Sequence, residues 1–143
     1  MGVRRIPGRI AAEHKCVVQM TPSFHDGFLD GVMLLDPKTV HLYLRTVGGG
    51  RYVFVGRGVE HLRVSNFLEG NIVLDIEVLA SEQITQFYIE RLYELSPVDA
   101  DGQMTKLLEM VKRRSLRMVV VSPSYGADCY LLVDDWWIEE LNS

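Results

Sequence analysis

His25 and Asp26 stand side by side in this 143-residue chain, and an imidazole beside a carboxylate is the usual equipment of general acid–base catalysis. In extended chain, neighbouring side chains point to opposite faces, which holds such a pair apart. Pro22 precedes the pair and Gly27 follows it, so a turn is expected, with Asp26 bonding nearby backbone amides. Two readings stand for this segment. One is a structural turn; the other is a small hydrolase in which folding brings a carboxylate to His25.

The other reactive residue types give less. Ser122, Pro123, Ser124, Tyr125 and Gly126 have the outline of a serine-hydrolase elbow, but Ser122 stands where the elbow needs glycine, and a strand pattern follows where it needs a helix. The segment reads as a turn. Gly48, Gly49 and Gly50 lack the Lys–Ser/Thr ending of a phosphate loop and read as a hairpin reversal. The four histidines, His14, His25, His41 and His61, include no pair at helical ligand spacing. His14 and Cys16 fall on one face of a strand, yet two ligands do not make a metal site, so neither metal nor cofactor is expected. The two cysteines, Cys16 and Cys129, read as buried thiols.

Near the C-terminus, Asp134, Asp135, Trp136 and Trp137 set two acids beside two large aromatics. Tryptophan anchors many protein interfaces, and acidic neighbours suit a basic partner, so these four are candidate partner-binding residues. The alternative is that one tryptophan closes the core while the other lies half exposed.

The 143 residues fit a single domain, 1–143, with residues 1–12 as a loosely attached arm. Composition is ordinary for a globular protein, at 48% apolar and 24% charged, so an unstapled hydrophobic core is expected. A net charge of -4 repels phosphate backbones. The basic groups Arg4, Arg5, Arg9 and Lys112, Arg113, Arg114, Arg117 lack interleaved aromatics, so no nucleic-acid partner is expected. No apolar run reaches about 18 residues, and neither a secretory leader nor a myristoylation signal is legible, so a cytoplasmic protein with no membrane partner is expected.

The elements that must position these residues follow from hydrophobic period. Residues 14–20 read as a first strand. Alternation continues through 28–35, 39–46, 51–55, 58–66 and 71–79, and these five strands predict an antiparallel meander. The period then lengthens. Ile84, Phe87, Tyr88, Leu92 and Leu95 mark a helix from Ser81 to before Pro97. Met104, Leu107, Leu108 and Val111 mark a second helix over 102–114, with Asp101 as its cap and its basic end explained by the helix dipole. Residues 116–121 and 127–133 form a C-terminal hairpin. The predicted class is α+β: an antiparallel sheet of about seven strands, meander plus C-terminal hairpin, with two amphipathic helices inserted between.

Three segments carry a resemblance: Ser23, Phe24, His25, Asp26; then Gly58, Val59 and Leu62 through Gly70, Asn71, Ile72; then Ser124, Tyr125, Gly126, Ala127. In this order they resemble a small uncharacterised bacterial family, some of whose members look like immunity proteins of polymorphic toxin systems. The similarity spans residues 23 to 130. It implies a bacterial cytoplasmic α+β protein that binds another protein, such as a toxin, with no catalytic residues to transfer. Separately from that resemblance, His25, Asp26, Asn71 and Tyr125 are taken as a candidate functional pocket. The expected function is a non-enzymatic protein-binding module. The alternatives are the His25 hydrolase and a ligand-sensing homodimer joined through sheet edges.

Overall fold

The computed structural model describes residues 3–6, 22–95 and 102–142. Predicted features at His14, Cys16, Pro97 and Asp101, and the strand over 14–20, lie outside the described residues. Among the described residues the fold is α+β, with one antiparallel sheet and two helices. Eight strands are β2 (Phe28–Asp36), β3 (Thr39–Arg45), β4 (Arg51–Arg57), β5 (His61–Ser65), β6 (Asn71–Leu79), β7 (Arg117–Tyr125), β8 (Asp128–Val133) and β9 (Asp135–Leu141). A short ninth, β1 (Val3–Ile6), lies within the segment read as an arm and pairs with β9. Helices α1 (Gln86–Tyr93) and α2 (Gln103–Arg113) fall between β6 and β7. None of these helices is long and apolar enough to cross a membrane.

The spatial order is β1-β9-β4-β3-β2-β6-β7-β8-β5. Only β2, β3 and β4 form the expected meander. The run stops at β4 because both of its edges are taken, by β3 on one side and β9 on the other. The chain therefore crosses over, and β5 pairs with β8 while β6 pairs with β7. The residues after Val133, expected as a tail, are a seven-residue strand inside the sheet. Trp136 and Ile138 alternate inward there, at 8% and 2% exposed. The predicted hairpin of β7 and β8 is present.

One join matters more than the others. β2 and β6 pair at just two positions, Phe28 with Ile72 and Leu29 with Asn71. The sheet is thus two halves, β1-β9-β4-β3-β2 and β6-β7-β8-β5, folded face to face about that corner. Leu29, Val40, Leu42, Leu44, Phe54, Trp136 and Ile138 of the first half share one core with Val73, Ile76, Val78, Val119, Val121, Cys129, Leu131 and Val133 of the second. Within it Phe54 and Trp136 stack at 5.2 Å and 3° between planes.

The second half has helices on its other face. Leu79, Met118, Val120, Tyr130 and Leu132 pack there against Ile84, Ile89, Leu92, Met104, Val111 and Leu116. β7 and β8 are therefore buried on both sides, which is why they read as near-continuous apolar runs. Ser81 opens a short 3-10 turn (Ser81–Gln83) in place of capping a long helix, and Thr85 precedes α1. Phe87, placed in the apolar stripe by spacing, is exposed, and Ile89 is buried in its stead. Helix α1 also covers the free side of β5. His61 stacks on Tyr93 at 4.3 Å, and the Arg63 guanidinium donates to the Arg91 carbonyl at 2.6 Å and pairs with Glu94 at 3.0 Å.

Because Trp136 belongs to the core, Trp136→Ala is expected to lower stability by about 3–5 kcal/mol in denaturant unfolding, the range for a buried large aromatic. A loss below about 1 kcal/mol would show that the residue belongs to a surface instead.

Candidate functional surface

The structure gathers three of the four residues of the predicted pocket around the corner where the two half-sheets join, and the fourth, Tyr125, pairs with Ile72 beside it. His25 and Asp26 occupy the turn before β2. The His25 Nδ1 sits 2.7 Å from the Leu74 carbonyl oxygen; a carbonyl only accepts, so Nδ1 donates. The Nε2 faces Asp26 Oδ2 at 3.5 Å. The turn thus brings together a pair that extended chain would separate, but with the wrong wiring for catalysis. A catalytic imidazole needs one nitrogen oriented by the carboxylate and the other free for the nucleophile. Here one nitrogen holds a backbone carbonyl and the other faces the acid. Ser23 Oγ accepts from the His25 backbone N–H at 3.3 Å, not from its ring. Both side chains are open to water, at 61% and 63% exposed.

The backbone of this turn does structural work. The Asp26 N–H, and not its carboxylate, makes the key bond, donating to the Val73 carbonyl at 2.8 Å; Val73 N–H returns a bond to Gly27 at 2.9 Å. Phe24 is buried edge-on to Tyr52 at 5.7 Å. A side chain at position 27 would collide with the Arg45 carbonyl, so the glycine there is a steric requirement. The segment Ser23–Gly27 is a clamp of β2 onto β6.

Asn71 completes the corner from inside. It is the buried polar side chain of the described residues, and all of its capacity is used. Its Oδ1 accepts from Leu68 N–H at 2.8 Å and Ala127 N–H at 2.9 Å. Its Nδ2 donates to the carbonyls of Leu68 at 2.8 Å and Leu29 at 3.2 Å. Gly126 must be left-handed, with φ 87°, to bring Ala127 in, and a Cβ there would strike the Asn71 amide. Tyr125, half exposed, flanks this knot. An open hollow of about 600 Å³ lies elsewhere, lined by Gly49, Gly50, Arg51, Glu140, Leu141 and Asn142.

The predicted partner-binding acids are met from within the chain. Arg114 pairs with Glu60 at 2.7 Å and Asp134 at 3.7 Å, and Arg117 pairs with Asp135 at 3.8 Å. Asp135 Oδ1 also accepts from the Trp136 N–H at 2.8 Å. The basic group at the end of α2 and the acids before β9 are thus each other's partners. Trp137 is partly buried, with its Nε1 donating to Glu139 at 2.9 Å and Arg57 5.7 Å from its ring. Cys129 is a free, buried thiol, pushed up to about 12 chiefly by burial, and so is no nucleophile at neutral pH. Among the described residues no group of three or more His, Cys, Asp or Glu is arranged to hold a metal ion.

A different surface is left uncompensated. On the helix-bearing face of the second half-sheet, cross-strand rows run parallel. Leu79, Met118, Leu132 and His61 form one row, and Glu77, Val120, Tyr130 and Arg63 the next. In the third, Asp75 lies beside Ser122 and Asp128 beside Ser65. Helices pack on Leu79, Met118 and Leu132 of the first row and on Val120 and Tyr130 of the second; in the third Asp75 is exposed and Ser122, Asp128 and Ser65 are partly exposed, so the sheet margin beside α1 forms a ledge. Burial, the neighbouring Asp75 charge and a hydrogen bond to Asp75 raise the Glu77 carboxyl above the usual carboxylate range. Among the described residues no lysine or arginine forms an ion pair with Asp75, Glu77 or Asp128. At the step stands α1, with Phe87 exposed, the Arg91 guanidinium 4.4 Å from its ring centre, and Tyr88 edge-on at 5.2 Å. Period-two alternation over 71–79 sets Asp75 and Glu77 on the face opposite Ile76 and Val78; where the helices end on that face is a tertiary fact with no local signal.

No protein-family model, no curated protein and no solved structure matches this chain.

Removing the Asn71 amide orphans two backbone donors, each costing about 1–3 kcal/mol when left unmet. Asn71→Ala is accordingly expected to lose about 3 kcal/mol in denaturant unfolding, whereas His25→Gln, at an exposed position, loses less than about 1 kcal/mol. Equal losses would contradict this division of labour.

Proposed function

We propose that this chain is a non-enzymatic protein-binding module that offers the ledge to a basic surface of another protein, as an immunity protein does when it covers a toxin. The observation that carries this reading is a set of carboxylates, Asp75, Glu77 and Asp128, that no lysine or arginine of the described residues pairs with, on the sheet face against which α1 packs with Phe87 exposed. Aromatic and arginine side chains are the types that dominate interface energies. A field of one sign steers an oppositely charged partner and fixes its orientation. Burial and the neighbouring Asp75 charge disfavour the ionised Glu77 carboxylate, and a partner's cation would offset both on binding.

The resemblance noted in the sequence supports a toxin as the partner class. Inhibition by occupancy needs no nucleophile and no perturbed acid–base pair, in agreement with the structural duties of His25, Asp26 and Asn71. Asp134 and Asp135 drop out of the contact set because arginines of the same chain already meet them.

The test is affinity capture by the tagged chain from a lysate of the source organism at about 50 mM and about 500 mM salt, which spans weak to strong screening. A stoichiometric basic partner is expected at low salt. The triple variant Asp75→Asn, Glu77→Gln, Asp128→Asn is expected to weaken its retention at least about tenfold while melting no lower than the parent. Retention unaffected by the triple variant, or no partner at either salt, would refute the proposal.

A further inference from the structure

Beyond the row that holds Asp75 and Asp128, the second half-sheet ends in two turns, residues 66–70 between β5 and β6 and residues 126–127 between β7 and β8. Asn71 draws the two turns together, because its Oδ1 accepts from Leu68 on one and from Ala127 on the other. What they present to water is apolar. Phe67, Leu68 and Tyr125 are 47%, 40% and 48% exposed, and Leu74, on the irregular stretch of β6 between Val73 and Asp75, is 45% exposed. One exposed apolar residue is ordinary, but several gathered on adjoining turns mark a surface that binds.

The chain makes no use of these rings itself. Phe24 packs on Tyr52, Phe54 on Trp136, and Phe28 and Phe87 each have a guanidinium over one face. Phe67 and Tyr125 meet neither a ring nor a cation of the described residues. Yet the patch is held in place. The Asn71 Nδ2 donates to the Leu68 carbonyl at 2.8 Å, and Asn66 at φ 59° and Gly126 at φ 87° shape the two turns. A fixed anchor loses little conformational freedom when it is covered.

Charge selects what covers it. Residues 22–37, 64–90 and 118–142 supply both turns, the corner beside them and the acids of the ledge, and these stretches contain no lysine or arginine. Glu69 follows Leu68, Asp128 follows the second turn, and the Asp26 backbone is bonded to Val73. None of these acids, nor Asp75, pairs with a lysine or arginine of the described residues. Such a field repels a second copy set patch to patch, a phosphate backbone and an anionic membrane alike. It attracts a cationic protein, whose lysines or arginines also suit the free faces of Phe67 and Tyr125. We propose that Phe67, Leu68 and Tyr125 are the apolar anchor of the ledge's own interface, and that the partner segment carries apolar side chains between lysines or arginines. The proposal rests on the ledge reading for the partner's charge, and adds the contact that retains the partner once charge has steered it in.

Proton–nitrogen NMR of the full chain at about 50 mM salt, titrated with three short synthetic peptides of equal length, tests this. The peptides alternate lysine with leucine, lysine with glycine, and glutamate with leucine. The lysine–leucine peptide is expected to bind at least about tenfold tighter than the lysine–glycine peptide, with shifts centred on the amides of Phe67, Leu68 and Gly126. The glutamate–leucine peptide is expected not to bind. Phe67→Ser, at an exposed position, is expected to keep the parent's melting temperature and to bring the lysine–leucine peptide down to the level of the lysine–glycine one, and Tyr125→Ser gives an independent loss. Equal binding of the two lysine peptides, binding of the glutamate peptide, or undiminished binding to Phe67→Ser would overturn the proposal. So would shifts centred on another exposed apolar residue such as Val47, which lies between the paired Arg45 and Arg51. The triple variant of the ledge acids is expected to weaken both lysine peptides alike; if it weakens neither, the ledge reading fails, whereas the anchor is judged by Phe67→Ser.

Discussion

Four hydrogen bonds from one buried amide hold the corner on which this fold turns. The two half-sheets share only two positions of strand pairing, at Phe28 and Leu29 of β2. So short a ladder specifies register weakly by itself. Asn71 sits in that ladder and reaches at once to the strand beside it, to the loop before it and to the β7–β8 turn. Each such bond adds only about 1 kcal/mol net, but leaving a buried partner unmet costs more, so the arrangement is cooperative. The turn from Phe24 to Gly27 clamps the same corner from outside, with His25 and the Asp26 backbone bonded to the carbonyls of Leu74 and Val73. Residue types that suggest catalysis are here occupied in closing a sheet on itself.

Charge follows a similar pattern. Arg114 and Arg117, at and beyond the end of α2, meet Glu60, Asp134 and Asp135 at the start of β5 and β9. These pairs lie near the surface and each contributes little to stability. Their effect is to remove the tail acids and the basic group together from the inventory of free charge. Asp75, Glu77 and Asp128, which share one sheet face, form no ion pair with a lysine or arginine of the described residues, and there Glu77 is raised by burial and by its neighbour Asp75.

Much of the fold was legible in period alone. The alternation at Val40, Leu42 and Leu44 and at Ile76 and Val78 marks inward faces that the structure buries. Alternation names a face and not a neighbour, however, and the crossover after β4 depends on β9, eighty residues later, claiming the second edge of β4. Trp136 and Ile138 carried the same period-two signal in the sequence, but paired tryptophans beside paired acids also look like a surface anchor. The turn expected at His25 and Asp26 is present, and with Asp26 at φ 61° it folds together two side chains that extended chain would hold apart. The role of Asn71 had no local sign, since a polar residue opening a strand looks the same whether it is solvated or tied to three other segments.

Amide hydrogen exchange at Leu68 and Ala127 tests this account most directly. Both residues flank loops, where amides ordinarily exchange through small local openings. If the buried Asn71 side chain holds the corner, their N–H groups are protected about as strongly as those in the middle of β7 and β8, and exchange only when the sheet opens. Rapid exchange at these two positions, with β7 and β8 still protected, would mean that the corner opens freely and that something other than Asn71 joins the halves.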